Sequence, residues 1–75
     1  MLTKVAVRRL VCGLTQREVA HRAGVHPSVV CLTEKRRLVA KEEVRRRIAE
    51  VLGLRVEEAF TEDGLARAWE GDRNG

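Results

Sequence analysis

Glycine and proline divide this chain into short segments, and that division limits the fold more than any other feature of the sequence. Gly13, Gly24, Gly53 and Gly64 separate stretches with apolar residues at helical spacing, and Pro27 stands where a first helical position tolerates it. No segment alternates apolar and polar residues with period two, so strands are not expected. The sequence therefore predicts an all-α fold, a compact bundle of about five short helices.

The length and composition indicate one small globular domain. A chain of 75 residues is too short for two domains or a large catalytic cleft, and 44% hydrophobic residues are too many for a disordered chain. The sequence has no apolar run of membrane-spanning length and no signal-peptide block, so we expect a cytoplasmic protein without membrane contact. In that compartment Cys12 and Cys31 are expected to be reduced thiols.

The basic side chains are concentrated in the first half of the chain. The formal net charge is +4. Residues 1–37 contain eight Lys or Arg and two Asp or Glu, whereas residues 38–75 contain seven and nine. This asymmetry predicts a face that binds a polyanion in the first half, and a face for packing or partners in the second.

Apolar spacing and capping signals define five predicted helices. They cover residues 3–12, 16–23, 27–34, 41–52 and 56–60, with a basic loop at residues 35–39. Leu2, Val5 and Ala6 share one side of the first helix, and Leu10 and Val11 are further candidates for the core.

Residues 13–25 carry the most informative local pattern. Thr15 and Glu18 have the spacing of a capping box, in which each side chain bonds the backbone amide of the other residue. Ala20 is small enough for two short helices to cross closely, Gly24 turns the chain, and Val30 can fill the angle between them. This combination is typical of a helix-turn-helix, whose second helix enters the major groove of DNA.

On these residues the chain resembles the helix-turn-helix family of phage Cro proteins and repressors, also called the XRE family. The resemblance covers residues 5–60 without gaps and rests on an ordered set: Gly13-Leu14-Thr15-Gln16, Ala20, Gly24-Val25, Val30, Glu34, Ile48-Ala49 and Leu52-Gly53. It implies a lambda-repressor-like fold, with residues 1–60 as a domain that binds double-stranded DNA.

The resemblance also implies roles for individual residues. Gln16 matches a glutamine that binds a DNA phosphate, and its neighbours Thr15 and Arg17 complete that part of the contact surface. The positions that meet base edges or backbone from the recognition helix correspond to His26, Pro27, Ser28, Val29 and Leu32. The loop that binds phosphate corresponds to Lys35, Arg36 and Arg37, and a structural ion pair corresponds to Arg9 and Glu34.

Several positions depart from the family pattern. Leu32 and Thr33 reverse the usual order of a polar and an apolar residue, Arg36 stands at a common glycine position, and Arg8 replaces a frequent apolar residue. The departures concern the detailed geometry of the loop and of the first helix.

The predicted recognition helix has few polar side chains. Ser28 and His26 are its evident hydrogen-bonding groups, and it lacks the Arg, Gln and Asn side chains that read bases through two bonds. Three alternatives stay open: apolar contacts from Val29 or Leu32 to thymine methyl groups, readout of DNA shape, and low specificity.

Other chemistry is poorly supported by the sequence. Cys12, His21, His26 and Cys31 are metal-ligand types, but their spacing matches no common zinc pattern. No catalytic signature accompanies the histidines, so we predict no enzyme, no metal and no cofactor or small-molecule ligand. The arginine run at residues 45–47 is interpreted as a solvated face of the fourth helix rather than a second DNA contact.

The second half is expected to carry a surface for self-association. Residues 61–75 form an acidic tail that could contain a short helix lined by Leu65, Ala66 and Trp69, with Trp69 either a partner contact or a lid on the core. We predict a homodimer through Leu54, Val56, Phe60, Leu65 and Trp69.

The predicted function is a repressor-like transcriptional regulator. The alternatives are the DNA-binding antitoxin of a toxin–antitoxin pair and a protein-interaction module whose helix-turn-helix no longer reads DNA.

Overall fold

In the computed structural model, which describes residues 2–71, the protein consists mainly of five short helices. They are α1 Lys4–Val11, α2 Gln16–Ala23, α3 Pro27–Glu34, α4 Glu42–Leu52 and α5 Val56–Ala59. Between residues 2 and 71 the only β-structure is a pair of isolated bridges, and none of the five helices could cross a membrane. The predicted all-α bundle is confirmed.

The first four helices end on the same kind of turn. In each, two backbone amides that follow the helix donate to carbonyls of its last turn, and one residue adopts a positive φ. These turn residues are Gly13, Gly24, Arg36 and Gly53. Glycine adopts this conformation at little cost, which explains three of the four. At Arg36, whose φ is 57°, the same conformation costs about 1 kcal/mol.

The core lies between all five helices and the residues that follow α5. Its largest fully buried side chains include Val5, Val19, Val30, Ile48, Leu52 and Phe60. The expectation that Leu2, Leu10 and Val11 would also contribute is wrong, since these side chains are 52%, 59% and 70% exposed. A helix on the surface of a bundle buries only one stripe, and on α1 that stripe holds Val5 and Ala6.

The tail is extended rather than helical. Antiparallel bridges join Phe60 to Ala66 and Thr3 to Ala68, and the amide of Trp69 donates to the carbonyl of Leu2 over 2.8 Å. The short helix expected in the tail is therefore wrong for residues 61–71, and residues 72–75 lie outside the described part of the chain. The tail packs along the bundle and connects the start of the chain to the end of α5.

The positions of Leu32 and Thr33 on α3 determine which of these two residues is buried. Position 33 lies three residues after the buried Val30 and therefore faces inward, so Thr33 is fully buried and Leu32 is 38% exposed. The Thr33 hydroxyl bonds to no group within residues 2–71. Thr3 is just as buried, but its hydroxyl caps α1 by accepting from the amide of Ala6 over 3.2 Å.

These two buried threonines predict opposite responses to the same substitution. We expect Thr33→Val to raise the free energy of unfolding by about 1 kcal/mol, because it removes a buried hydroxyl without a partner. Thr3→Val should lower it by about 1 kcal/mol, because the cap of α1 is lost. Urea unfolding of both variants measures the difference, and losses of equal size would mean that the Thr33 hydroxyl has a partner.

Candidate nucleic-acid interface

The second and third helices form a helix-turn-helix unit. The capping box at the start of α2 is complete: the Glu18 amide donates to Thr15 Oγ1 over 3.0 Å, and the Thr15 amide donates to Glu18 Oε1 over 2.9 Å. The bond from the Thr15 amide holds the pKa of Glu18 below its ordinary value, so the carboxylate is charged at neutral pH. Gly24 then turns the chain at a φ of 71°, and the fully buried Val30 fills the angle between the helices.

One face of α3 is open to solvent over its whole length. His26, Pro27 and Ser28 are exposed at its start, Leu32 is exposed one turn later, and Val29 is partly exposed between them. The opposite side of the helix faces the core. The five residues predicted to meet DNA from the recognition helix therefore lie on the accessible part of the unit.

His26 and Ser28 are tied to each other at the start of α3. The Ser28 amide donates to His26 Nδ1 over 3.1 Å, and Ser28 Oγ lies 2.8 Å from the same nitrogen. Because Nδ1 accepts a bond, the proton of the neutral ring is placed on Nε2. The helix cap thus leaves an N–H donor on the outer edge of the imidazole and acceptor capacity on the serine oxygen.

The loop after α3 is shaped by the turn at Arg36. The Arg37 amide donates to the carbonyl of Leu32 over 2.9 Å, and the Arg36 amide donates to that of Thr33 over 3.1 Å. This turn ends α3 and directs the chain away from it while Lys35 and Arg37 remain exposed. Arg36 is partly buried and lies between them.

A buried polar network joins α1, the start of α2 and the end of α3. Arg9 Nε lies 2.6 Å from Glu34 Oε2, and the two side chains are only 14% and 8% exposed. A second Arg9 nitrogen donates to Glu34 Oε1 over 3.1 Å, and a third donates to the carbonyl of Leu14 over 2.9 Å. The hydrogen bond to Glu34 raises the pKa of Arg9 above its ordinary value, against the opposing effect of burial.

Gln16 also belongs to this network. Its Nε2 donates to Glu34 Oε1 over 2.9 Å. Since Glu34 is the last residue of α3, this bond places the start of α2 beside the basic loop at residues 35–37. Thr15 and Arg17 are exposed on either side of Gln16. The two predicted phosphate-binding segments are thus adjacent, although residues 16 and 34 are far apart in the chain.

The arginine run on α4 is largely balanced by its own helix. Arg47 Nη2 lies 2.8 Å from Glu43 Oε1, and Arg46 Nη2 lies 3.6 Å from Glu42 Oε1. All four side chains are about half exposed or more, so these pairs contribute little stability. This geometry agrees with a solvated face for Arg46 and Arg47, whereas Arg45 is partly buried, with its Nε shielded from solvent.

The thiols and the histidines do not gather into one site. Cys12 is exposed and Cys31 is partly buried, and both are free. Within residues 2–71 no group of three or more His, Cys, Asp or Glu side chains could hold a metal ion.

The surface predicted for self-association is only partly exposed. Phe60 is 2% exposed and belongs to the core, so its assignment to a dimer interface is wrong. Leu54, Val56 and Leu65 are partly buried. Trp69 is 42% exposed and, with Leu54, borders a groove of about 310 Å³ whose other walls are Lys4, Val7, Arg8, Val11 and Glu58.

Arg8 has a structural role that the sequence did not reveal. Its Nε donates to the carbonyl of Leu52 over 2.8 Å and so binds the end of α4 to α1. A cation at the C-terminus of a helix is favourable because the last carbonyls carry a partial negative charge. The partners are 44 residues apart, so no local pattern signals the contact.

The fold is similar to that of a known regulator. The crystal structure of the clp gene regulator ClgR from Corynebacterium glutamicum matches with a TM-score of 0.66 and 26% sequence identity, over 71% of this chain and 56% of that chain. The match therefore spans just over half of the longer protein. Comparison with protein-family models gives no match, and comparison with curated proteins gives no significant one. The likeness to a gene regulator supports a helix-turn-helix regulator fold for this chain.

Proposed function

We propose that this protein binds double-stranded DNA with α3 in the major groove and regulates transcription in the manner of a repressor. The observation that carries the proposal is the bond from Gln16 to Glu34, which sets the start of α2 beside the basic loop at residues 35–37 and next to the open face of α3. Groups suited to phosphate and groups suited to base edges thus lie on one side of the molecule. The similarity to a clp gene regulator is consistent with this function.

Phosphate binding is assigned to the two ends of this surface. Arg17, Lys35 and Arg37 are exposed cations, and Gln16 can donate from its amide group. Contacts of this kind set the register of the protein on the duplex and carry no sequence information themselves.

Base readout is assigned to the exposed face of α3 and is mainly apolar. Leu32 and Val29 can contact thymine methyl groups, and the Nε2–H of His26 can donate to an acceptor on a base edge. Ser28→Ala and Leu32→Ala should therefore change the preference among operator variants.

We further propose that two copies bind a palindromic site. Each copy would occupy one half-site, and the two half-sites would lie one helical turn apart. The pairing surface is assigned to Leu54 and Trp69 with the neighbouring apolar part of α1, because Trp69 and Val11 are exposed there and the region lies outside the helix-turn-helix. The antitoxin alternative shares the DNA-binding step and adds a toxin as a partner.

The dependence of DNA affinity on salt tests the proposal. If Arg17, Lys35 and Arg37 each contact a phosphate, log affinity should fall against log salt with a slope of about −3 for every bound chain. Arg37→Ala should weaken binding to all sequences and make the slope shallower by about 1 per chain. Fluorescence anisotropy with a palindromic duplex measures both quantities and the expected stoichiometry of two chains per duplex.

Arg46→Ala is the matched control, because Arg46 is exposed but lies on α4 beside Glu42. It should leave the slope unchanged. Absence of salt-dependent duplex binding by the wild-type protein would overturn the proposal and favour the protein-interaction module.

A further inference from the structure

We infer that Glu34 is a positioning residue for DNA binding, which holds the amide of Gln16 in the orientation that offers an N–H to a phosphate. The inference rests on the proposed function, since it concerns how the phosphate contact is prepared. It goes beyond a structural role for the Arg9–Glu34 pair, because it assigns Glu34 an effect on affinity that passes through Gln16.

The chemistry of the two groups determines which end of the amide faces inward. An ionised carboxylate only accepts hydrogen bonds, so Gln16 must turn its Nε2 toward Glu34 and its carbonyl oxygen away. Nε2 carries two hydrogens, and one of them is used over 2.9 Å by Glu34 Oε1. The other hydrogen is not engaged by Glu34 and can be donated to a phosphate oxygen. With the amide reversed, its acceptor oxygen would repel that phosphate.

The rest of the network makes this arrangement possible close to DNA. A bare carboxylate beside the phosphates would oppose binding. Arg9 neutralises Glu34 from the α1 side through two hydrogen bonds, and the pair is largely shielded from water. Glu34 can therefore orient Gln16 without adding a net charge to the surface.

For Glu34→Gln, the inference predicts a change in DNA affinity opposite in sign to the change that charge alone predicts. Glu34→Gln removes a negative charge near the phosphates and leaves Arg9 uncompensated, so charge alone predicts tighter DNA binding. The positioning role predicts weaker binding, because a glutamine at position 34 can accept or donate and no longer selects one orientation of the Gln16 amide.

A double-mutant cycle separates these outcomes. Wild type, Glu34→Gln, Gln16→Ala and the double variant are titrated against a fluorescein-labelled duplex of mixed sequence at low salt, since phosphate contacts do not depend on sequence. We expect Glu34→Gln to weaken binding about fivefold, Gln16→Ala about tenfold, and the double variant no more than Gln16→Ala alone. Tighter binding by Glu34→Gln, or an equal loss in both backgrounds, would overturn the inference. If the wild-type protein shows no salt-dependent binding, it is the proposed function that fails.

A second measurement uses only the wild-type protein and therefore does not depend on whether any variant folds. In a nitrogen–proton correlation spectrum, the two Nε2 protons of Gln16 should be further apart in shift than those of a solvent-exposed glutamine. One of them should exchange slowly with water because it is hydrogen-bonded to Glu34. Titration with the same duplex should then shift the other proton. Gln16 Nε2 protons with the shifts and the fast exchange of a solvent-exposed glutamine in the folded protein would contradict the positioning role.

Discussion

Gly64→Ala is expected to lower the free energy of unfolding by about 3 kcal/mol, although it adds only one methyl group. Gly64 has a φ of 89°, a conformation that residues with a side chain rarely adopt. An added Cβ would also lie 2.9 Å from a methyl of Val39 and 3.0 Å from the carbonyl oxygen of Ala40. The backbone cannot withdraw freely, because the Ala40 amide donates to the Gly64 carbonyl over 3.0 Å.

Gly13→Ala is the matched control for this prediction. Gly13 also has a positive φ, of 71°, but a Cβ there would meet nothing within 4 Å. Its loss should be limited to the conformational term, about 1 kcal/mol. Denaturant unfolding of both variants measures the difference. Equal losses would mean that the contact between the tail turn and residues 39 and 40 is looser than the structure shows.

Arg9→Met should cost a similar amount, about 3 kcal/mol, because it leaves the carboxylate of Glu34 buried without its cation. The variant also removes the donor to the carbonyl of Leu14, which fixes the turn between α1 and α2. Thermal and urea unfolding are suitable measurements. Arg46→Met, which breaks an exposed pair with Glu42, should change the stability by less than about 0.5 kcal/mol.

The double variant Arg9→Met with Glu34→Leu tests the reason for this loss. If the cost comes from an unpaired buried charge, removing both partners should restore part of the stability lost with Arg9 alone. A double variant less stable than Arg9→Met would show instead that the network itself holds the three helices together.

Helix positions were predictable because their signals are local. Thr15 and Glu18 are three residues apart, and the glycines at positions 13, 24 and 53 mark turns that depend only on backbone conformation. Each of the five predicted helices is present, with ends within one residue of their expected positions. Local chemistry therefore determines where each helix begins and ends.

The tail was mispredicted because its conformation depends on distant partners. Leu65, Ala66 and Trp69 have a spacing compatible with a helix, but residues 66 and 68 pair with residues 60 and 3. No pattern within the tail indicates those partners, and tertiary contacts override weak local preference. The same reason hid the bond from Arg8 to Leu52.

The candidate interface was predictable as a set of residues but not as a geometry. The resemblance placed Gln16, Glu34 and the basic loop in separate roles, and the structure joins them through one hydrogen bond. The polarity of Leu32 and Thr33 also did not indicate which of the two faces outward. Their exposure depends on how α3 is rotated against the core, which buries Thr33 and exposes Leu32.

The bridge between Thr3 and Ala68 has a consequence for the order in which the chain folds. These residues stand almost at opposite ends of the described chain, whereas α2 and α3, which pack against each other, are separated by only three residues. Closing so long a loop costs entropy before the bridge returns any stabilisation, so the local contacts should form first. The helix-turn-helix would then assemble early in folding, and the pairing of the tail with the first residues would be among the last steps.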